Sequence, residues 1–407
     1  MRVLVYPHAM EMGGSQLNAV EVAAAVRARG HEVVVYADDG DLVPYARERG
    51  LEVVRRRRSP FVPAPERVVE LRKLVRDRGI DVVHGYEWPP ILEGFAALSG
   101  LRSAGSGPVL VGTILSMGVA DFLPSSSHLF VGTERIRRAV AGTRIGPVHL
   151  MEPPVDVHFN NPGQGGGRDV TGAPRAAHRI VVVSRLAHEL KLEGIVTAVR
   201  AVGSLARAGR SVELVVVGDG PARPEVERAV DEVHRELGRP VVHLTGSLPD
   251  PRAAYDSADV CLAMGGSALR AMAFAKPVVV QGEGGFFRTL TPDSVDTFLE
   301  QGWYGRDTLG PGEAVQALCR ALEPLLDDSA RIEELGAFGR ALVEHRFSLE
   351  AAAAKVESVY QQARAQRAPV WSDAWISSVR LGRYKVRTRW EALQGRARRD
   401  DFNARPI

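Results

Sequence analysis

The feature that most constrains this fold is an alternation that runs through the chain twice. Short β-branched runs are separated by longer stretches with amphipathic helix spacing, the pattern of a parallel α/β sheet. The first series opens with "RVLVY", "SQLNAVEVAAAVRARG" and "HEVVVYA", and continues through "LEVVR" and "ERVVELRKLVRDRG". It closes with "DVVHGY", "PVLVGTI", "HLFVGT" and "GPVHLME". Gly30, Gly50 and Gly79 stand where helices should stop, because a left-handed terminal residue suits glycine. Residues 158–178, "HFNNPGQGGGRDVTGAPRAAH", have no apolar period and read as an interdomain linker. The alternation then restarts with "RIVVVS", "GIVTAVRAVGSLARAG", "VELVVVG", "PEVERAVDEVHREL", "VVHLTG", "ADVCLAM" and "PVVVQG". Expected domains are therefore 1–157 and 179–368, with helices filling the end of the second. A helical segment over 369–395 carries Trp371, Trp375, Val379 and Leu381 or Gly382 at helix-like spacing. Its aromatic content should pack back onto a domain, while 396–407 is too poor in apolar residues to pack and is expected to fray.

A length of 407 residues agrees with two domains rather than one core. The 52 basic and 49 acidic residues leave a formal charge of +3, which does not indicate a partner such as nucleic acid. Arginines at 55–58 form a local run that reads either as a basic patch or as a solvated face. Cys261 and Cys319 lie far apart in apolar runs, without metal-ligand spacing, and are expected to be buried reduced thiols. The chain opens directly on a strand-like run with no signal-peptide pattern, and no apolar stretch reaches the roughly 18–20 residues of a membrane span. A cytoplasmic location is expected.

Four stretches could hold a ligand at the strand ends, where open α/β sheets bind theirs. In "EMGGSQLNAV", Gly13 and Gly14 allow close backbone approach, and Ser15 is placed to cap a helix whose first N–H groups would face an anion. No G-x-G-x-x-G occurs here, so this is not the dinucleotide fingerprint. In "VVVSRLAHELKLEGI", Arg185 and Lys191 follow a strand, and an arginine fork with a lysine point charge suits a diphosphate. In "VVVGDGPARPEVE", Gly218 and Gly220 make a tight turn. In "AMGGSALRAMAFAKPVVVQGEGGF", Gly265 and Gly266 lead to Ser267, read as an N-cap, so that Ala268 and Leu269 would present their N–H groups to a phosphate.

Taken in order, "GGSQLNAVEVAAAVRARGHEV", "DVVHGYEW", "SRLAHELKLEGI", "VVVGDGPARPEVE", "VHLTGSL", "YDSADVCLAM" and "ALRAMAFAKPVVV" resemble a GT-B glycosyltransferase of the retaining family 4 type. The resemblance runs from Met1 to about Tyr360 and is stronger in the second half. It implies an α/β fold of two facing Rossmann-like domains, an acceptor domain first and a nucleotide-sugar donor domain second. A final helix would cross back to the first domain. It further implies that Arg185 and Lys191 grip the donor diphosphate and stabilise the leaving nucleotide, with the backbone at Gly266 and after it, and Gly13 and Gly14, on the same phosphates. His243 and Leu244 would flank the base. No metal is expected, in line with the missing D-x-D triplet, and no cofactor.

The departures fall on acidic contacts. Relatives carry two glutamates eight positions apart, the second in "E-A-M-A"; here Arg270 takes that place and the first glutamate is gone. Glu283 in "QGEGGF" is the nearest substitute carboxylate, and Arg270 is either a phosphate contact or a structural ion-pair partner. In the first domain Tyr86 and Ser116 stand near two family histidines. His84 reads as a satisfied core residue, while Tyr86 and Glu87 are placed to face an acceptor. The resemblance implies transfer of a sugar, hexosyltransferase-like and with retention, from a UDP-, GDP- or TDP-type donor to a small polar or glycan acceptor. The alternatives are a non-catalytic auxiliary protein, or another enzyme of this fold such as an epimerase or phosphorylase. Membrane association through 55–58 or the basic last helix is considered, but a soluble acceptor is preferred because the apolar component looks small.

Overall fold

The structure is a computed structural model that describes residues 1–59, 61–99, 101, 107–165, 170–172, 174–366 and 371–394. The expected frayed tail and parts of the expected linker lie outside these residues. Two compact units appear, Met1–Pro154 with Leu349–Ile407, and Val155–Ser348.

In the first unit, strands β1 (Arg2–Tyr6), β2 (Glu32–Ala37), β3 (Glu52–Arg55), β4 (Val82–Tyr86), β5 (Val109–Ile114), β6 (His128–Val131) and β7 (Val148–Leu150) alternate with helices. These are α1 (Gly14–Ala28), α2 (Leu42–Glu48), α3 (Pro65–Asp77), α4 (Trp88–Leu98) and α5 (Glu134–Ala141). The sheet order is β3-β2-β1-β4-β5-β6-β7, parallel throughout. Because strand side chains alternate, Val3 and Val5 pack with α1 on one face, and Leu4 and Tyr6 with α3 and α4 on the other. Gly30, Gly50 and Gly79 follow the ends of α1, α2 and α3 with φ of 90°, 72° and 58°. Each accepts the left-handed backbone that would strain another residue.

The second unit repeats the plan with β8 (His178–Val183), α6 (Leu192–Arg207), β9 (Val212–Val217), α7 (Arg223–Leu237), β10 (Val242–Gly246), α8 (Arg252–Ser257), β11 (Val260–Ala263), α9 (Gly266–Ala273) and β12 (Val278–Gln281). Strand β13 (Phe287–Thr289) and helices α10 (Val295–Gln301), α11 (Pro311–Leu326) and α12 (Ser329–Arg346) complete it. The order β10-β9-β8-β11-β12-β13 is parallel except for the antiparallel β12–β13 pair. Both sheets have the strand order of a doubly wound Rossmann-like unit.

Two boundaries differ from the sequence expectation. Residues 158–165 are pinned to the second unit rather than left free. Asp256 accepts the N–H groups of Gly163 and Gly165 at 3.1 and 3.2 Å, and Arg252 lies 3.8 Å from the centre of the Phe159 ring. The chain also returns to the first unit earlier than expected. Helix α13 (Leu349–Ala365) buries Leu349, Ala353, Val356, Val359 and Tyr360 in the first unit's core. Helix α14 (Trp371–Leu393) belongs to the same unit and docks through Asp373, Ser377 and Tyr384. Its aromatic spacing was expected to face inward, yet Trp375 is 71% exposed.

The arginine run is neither a uniform patch nor a uniform solvated face. Arg55 is exposed beside Asp39, whereas Arg56 is buried and donates to Asp38 at 2.5 Å and to the His8 carbonyl at 2.8 Å. Cys261 is buried and its thiol is pushed up to about 12 by burial; Cys319 is only partly buried. Among the described residues no helix is long and apolar enough to cross a membrane.

Candidate functional site

In the second unit the connections diverge on either side of β8, between β9 and β11, and open α/β sheets bind ligands at the carboxyl ends of strands at such a point. The loop after β8 is locked to the loop after β9. Leu186 N–H donates to the Asp219 carbonyl at 2.9 Å, and Ala222 N–H donates to the Leu186 carbonyl at 2.9 Å. Gly218 sits at φ 139°, and a Cβ there would collide with the Ser184 carbonyl, so the two loops approach closely only because this residue is glycine. Gly220 is similarly placed against the Leu186 carbonyl.

The same loop is tied to the other side of the divergence by Lys191. Its Nζ donates to Met264 Sδ at 2.8 Å, at the end of β11. Burial and then the nearby Arg185 guanidinium lower the ammonium pKa to about 8. Lys191 immediately precedes α6, and Glu193 in the first turn of that helix accepts from Gly284 N–H at 3.2 Å and Gly285 N–H at 2.8 Å. The loops after β8, β11 and β12 are therefore held by one short segment. Glu193 and Met264 were not identified from the sequence. The only available signal was a carboxylate two residues beyond a lysine, at a helix start.

The start of α9 differs in detail from the expectation. Its N-cap is Gly265, at φ 58° and ψ −133°, whose N–H donates to the Trp303 carbonyl at 2.8 Å. Ser267 lies inside the helix, and its hydroxyl donates to the Met264 carbonyl at 2.9 Å while accepting from the Met264 N–H at 3.1 Å. The N–H of Ala268 is committed to the Gly265 carbonyl at 3.0 Å, and Ala268 and Leu269 bury their side chains in the core. The first-turn donors left for a ligand are thus the amides of Gly266 and Ser267, two residues earlier than expected. Arg270 folds back along α9 with Nη1 3.4 Å from the Gly266 carbonyl, which sets its cation beside the same helix start.

Two further candidates have partners of their own within the fold. Glu283 is not a free carboxylate: it accepts from Tyr304 Oη and Arg306 Nη2, and its backbone pairs with Gly305 and Asp307. Burial opposes its charge, but these donors hold the carboxyl below its usual range. His243 points along the sheet toward the strand beginnings, with Nε2 3.5 Å from Glu213 Oε2, and Glu213 is itself paired with buried Arg179 at 2.6 Å. Leu244 packs against the core cluster of α6 and α7.

In the first unit the connections diverge between β1 and β4. Gly13 is extended at φ −166° and is the N-cap of α1; a Cβ on Gly14 would meet open space. Ser15 was expected to cap α1, but its hydroxyl instead donates to Glu87 Oε1 at 3.0 Å. That oxygen also accepts from the N–H groups of Leu115 and Ser116 at 3.0 and 3.2 Å, and Oε2 accepts from Ser116 Oγ. Glu87 is 8% exposed, so it organises the loops rather than facing open solvent. Its φ of 68° with ψ 170° is a conformation ordinarily left to glycine. Tyr86 is buried in the core against His84, with ring centres 4.6 Å apart, and burial raises its phenol well above the ordinary range. His84 is fully buried, 2.7 Å from Tyr360 Oη on one nitrogen and 2.7 Å from Thr113 Oγ1 on the other, and burial lowers its pKa to about 3.

With this geometry described, known proteins are similar in both units. The family model described as "Glycosyl transferase 4-like domain" matches residues 13–150, and "Glycosyl transferases group 1" matches residues 177–328. The 2-deoxystreptamine glucosyltransferase of Streptomyces kanamyceticus is 34% identical over 204 residues, 47% of this chain and 47% of that protein. The alpha-D-kanosaminyltransferase of the same organism is 27% identical over 196 residues, 45% of each. The matched stretch thus spans less than half the length of either curated relative. Among solved structures, a glycosyltransferase from Rickettsia africae superposes with a TM-score of 0.68 at 14% identity, covering 90% of this chain and 99% of that one. Sucrose-phosphate synthase from Thermosynechococcus elongatus gives 0.67 at 19%, covering 90% and 100%. Anabaena HepE, solved in complex with UDP-glucose, gives 0.66 at 15%, covering 89% and 100%.

Proposed function

The chain belongs to the glycosyltransferases built from a 4-like and a group 1 domain, and from that premise we propose that it transfers a sugar from a nucleotide-diphosphate sugar to a small polar or glycan acceptor. The observation that carries the reading is the Lys191–Met264 contact. It draws Arg185, Lys191, the Gly218 turn and the start of α9 to the point where the second sheet's connections diverge. The cations of Arg185 and Lys191, with the Gly266 and Ser267 amides, form an anion site of the kind a diphosphate fills. Arg270, beside Gly266, adds positive charge at the same helix start. These positive groups offset the charge that develops on the leaving nucleotide, so the transfer needs no metal.

The reaction proceeds with retention. The bond from the sugar's anomeric carbon to the diphosphate oxygen breaks, and the acceptor oxygen bonds the same face. The acceptor proton passes to the departing phosphate, a route that requires no protein nucleophile. That suits a first unit in which Glu87 is engaged and Tyr86 is core. Donor class is tested by thermal shift with UDP-, GDP-, TDP- and ADP-sugars: one donor should raise the melting temperature, and Arg185→Ala should abolish the rise. No shift with any donor would overturn the reading.

One observation favours a second reading, an auxiliary protein that binds the nucleotide sugar without turning it over. Glu283, the nearest substitute for the family's carboxylates, is occupied by Tyr304 and Arg306. Donor binding with neither hydrolysis nor transfer across an acceptor panel would select it.

A further inference from the structure

Helix α14 docks on the first unit through buried Asp373 and Ser377 and through Leu381 and Tyr384, which pack on the core cluster around Phe122. Asp373, 2% exposed, accepts from Ser125 and Ser126 through both their amides and hydroxyls, at 2.6–3.0 Å. Tyr384 packs 4.9 Å from Phe122, centre to centre. The opposite side carries large apolar groups into solvent: Trp375 at 71%, Ile376 at 41%, Val386 at 72%, Trp390 at 60% and Leu393 at 85% exposure. At about 3.6 residues per turn, positions 375, 379, 386, 390 and 393 fall in one stripe roughly 27 Å long. A monomer rarely leaves so contiguous an apolar strip uncovered.

Charge identifies what would cover it. Arg383 and Arg387 border the stripe on one side and Lys385 and Arg389 on the other, all exposed. With Arg380, α14 holds five cations against Asp373 and Glu391, and Asp373 is consumed inside the fold. A second copy laid along the stripe would bring cation rows against cation rows. An anionic lipid surface answers both features: acyl chains take the tryptophans, valine and leucine, and headgroup phosphates take the flanking arginines and lysines. We propose that the outer stripe of α14 is a docking surface for anionic membrane, holding the first unit at the bilayer interface. This goes beyond the transferase reading and does not depend on it. It also revises the sequence-level preference for a soluble protein with a soluble acceptor, which rested on the exposed apolar component being small.

The test is co-sedimentation of the full chain with phosphatidylglycerol or phosphatidylcholine vesicles at low and moderate salt. The protein should partition onto phosphatidylglycerol at low salt and about tenfold or more less onto phosphatidylcholine. Trp375→Ser with Trp390→Ser should weaken the first partition about tenfold or more, and Arg383→Glu with Arg387→Glu should weaken it and remove its salt dependence. Trp375 and Trp390 are exposed, so the tryptophan variant should keep the wild-type thermal midpoint; Arg387 is 3.9 Å from Glu391 and lies over the Tyr384 ring, so the arginine variant is compared at temperatures below its own measured midpoint. Absence of partition onto phosphatidylglycerol overturns the proposal. So does partition unchanged by both double variants, or a dimer in sedimentation velocity that the tryptophan variant splits while vesicles remain unbound.

Discussion

Ser15 Oγ donates to Glu87 Oε1 at 3.0 Å, joining the turn after β1 to the end of β4 where the first sheet's connections diverge. The same carboxylate gathers Leu115 and Ser116 from the loop after β5. Removing it strands buried amide donors, so Glu87→Ala should lower unfolding free energy by roughly 2–4 kcal/mol. Glu87→Gly loses the same bonds but relieves a backbone held at φ 68°, and should cost about 1 kcal/mol less than alanine. Urea unfolding of the two variants checks both magnitude and order; alanine at least as stable as glycine would remove the strain argument.

Lys191 links function to stability with opposite signs. Its ammonium is desolvated and lies near Arg185, so its pKa falls to about 8 from an ordinary value near 10.5. Below about pH 8 both folded and unfolded chains carry the proton and the full cost of desolvation is present. Between about 8 and 10.5 the folded chain has lost a proton that the unfolded chain keeps, so stability rises with pH. Lys191→Met should therefore gain roughly 1–2 kcal/mol at pH 7, allowing for partial exposure, while donor binding falls. Denaturation at pH 7 and 9.5 gives the first quantity and donor titration the second. A destabilised methionine variant would show that the lysine's contacts outweigh its desolvation.

What was legible in the sequence followed from periodicity and glycine. Both Rossmann-like units are visible as alternating runs, and Gly30, Gly50 and Gly79 mark helix ends because φ is positive there. Helix α4 was not recognised: "WPPILEGFAAL" opens on paired prolines and is apolar along most of its length, which masks a short helix between two strands. Strand β13 has three residues and forms only because β12 offers it an antiparallel edge. At the candidate site, residue types were readable but side-chain commitments were not. Glu87, Glu283 and His243 looked available because their partners, Ser116, Arg306 and Glu213, are distant in sequence. The outward face of α14 was misjudged for a related reason. Asp373 and its serine partners decide which side of the helix docks, and aromatic spacing alone cannot reveal that.

Gly218 tests how closely the β8 and β9 loops must approach. A methyl group there meets the Ser184 carbonyl, and φ 139° is poorly open to alanine. Gly218→Ala should cost roughly 2–4 kcal/mol and displace Arg185, the next residue along, weakening donor binding beyond the stability loss. Gly142→Ala, at an open position with negative φ, is the matched control and should change neither. Calorimetry with donor titration on both variants gives the comparison. Equal behaviour would mean that the loop has room which the geometry denies.

Asp373 makes the docking of α14 sensitive to acid. Burial works against its charge, but hydrogen bonds from Ser126 and Ser125 more than offset this and hold the carboxyl below the ordinary range. A carboxyl with a lowered folded-state pKa contributes stability in full above its unfolded value, near pH 4, and loses it as pH falls through the folded value. Hydrogen exchange over residues 371–394 should accordingly rise, relative to intrinsic rates, as pH drops below about 4, ahead of the first unit's central strands. Asp373→Asn removes the titration and one acceptor charge, so its exchange should be faster by roughly tenfold at pH 7 and flat through the acid window. Retained protection in that variant would assign the anchoring to Tyr384 and its contact with Phe122 instead, and would make the serine pair incidental to where the helix lies.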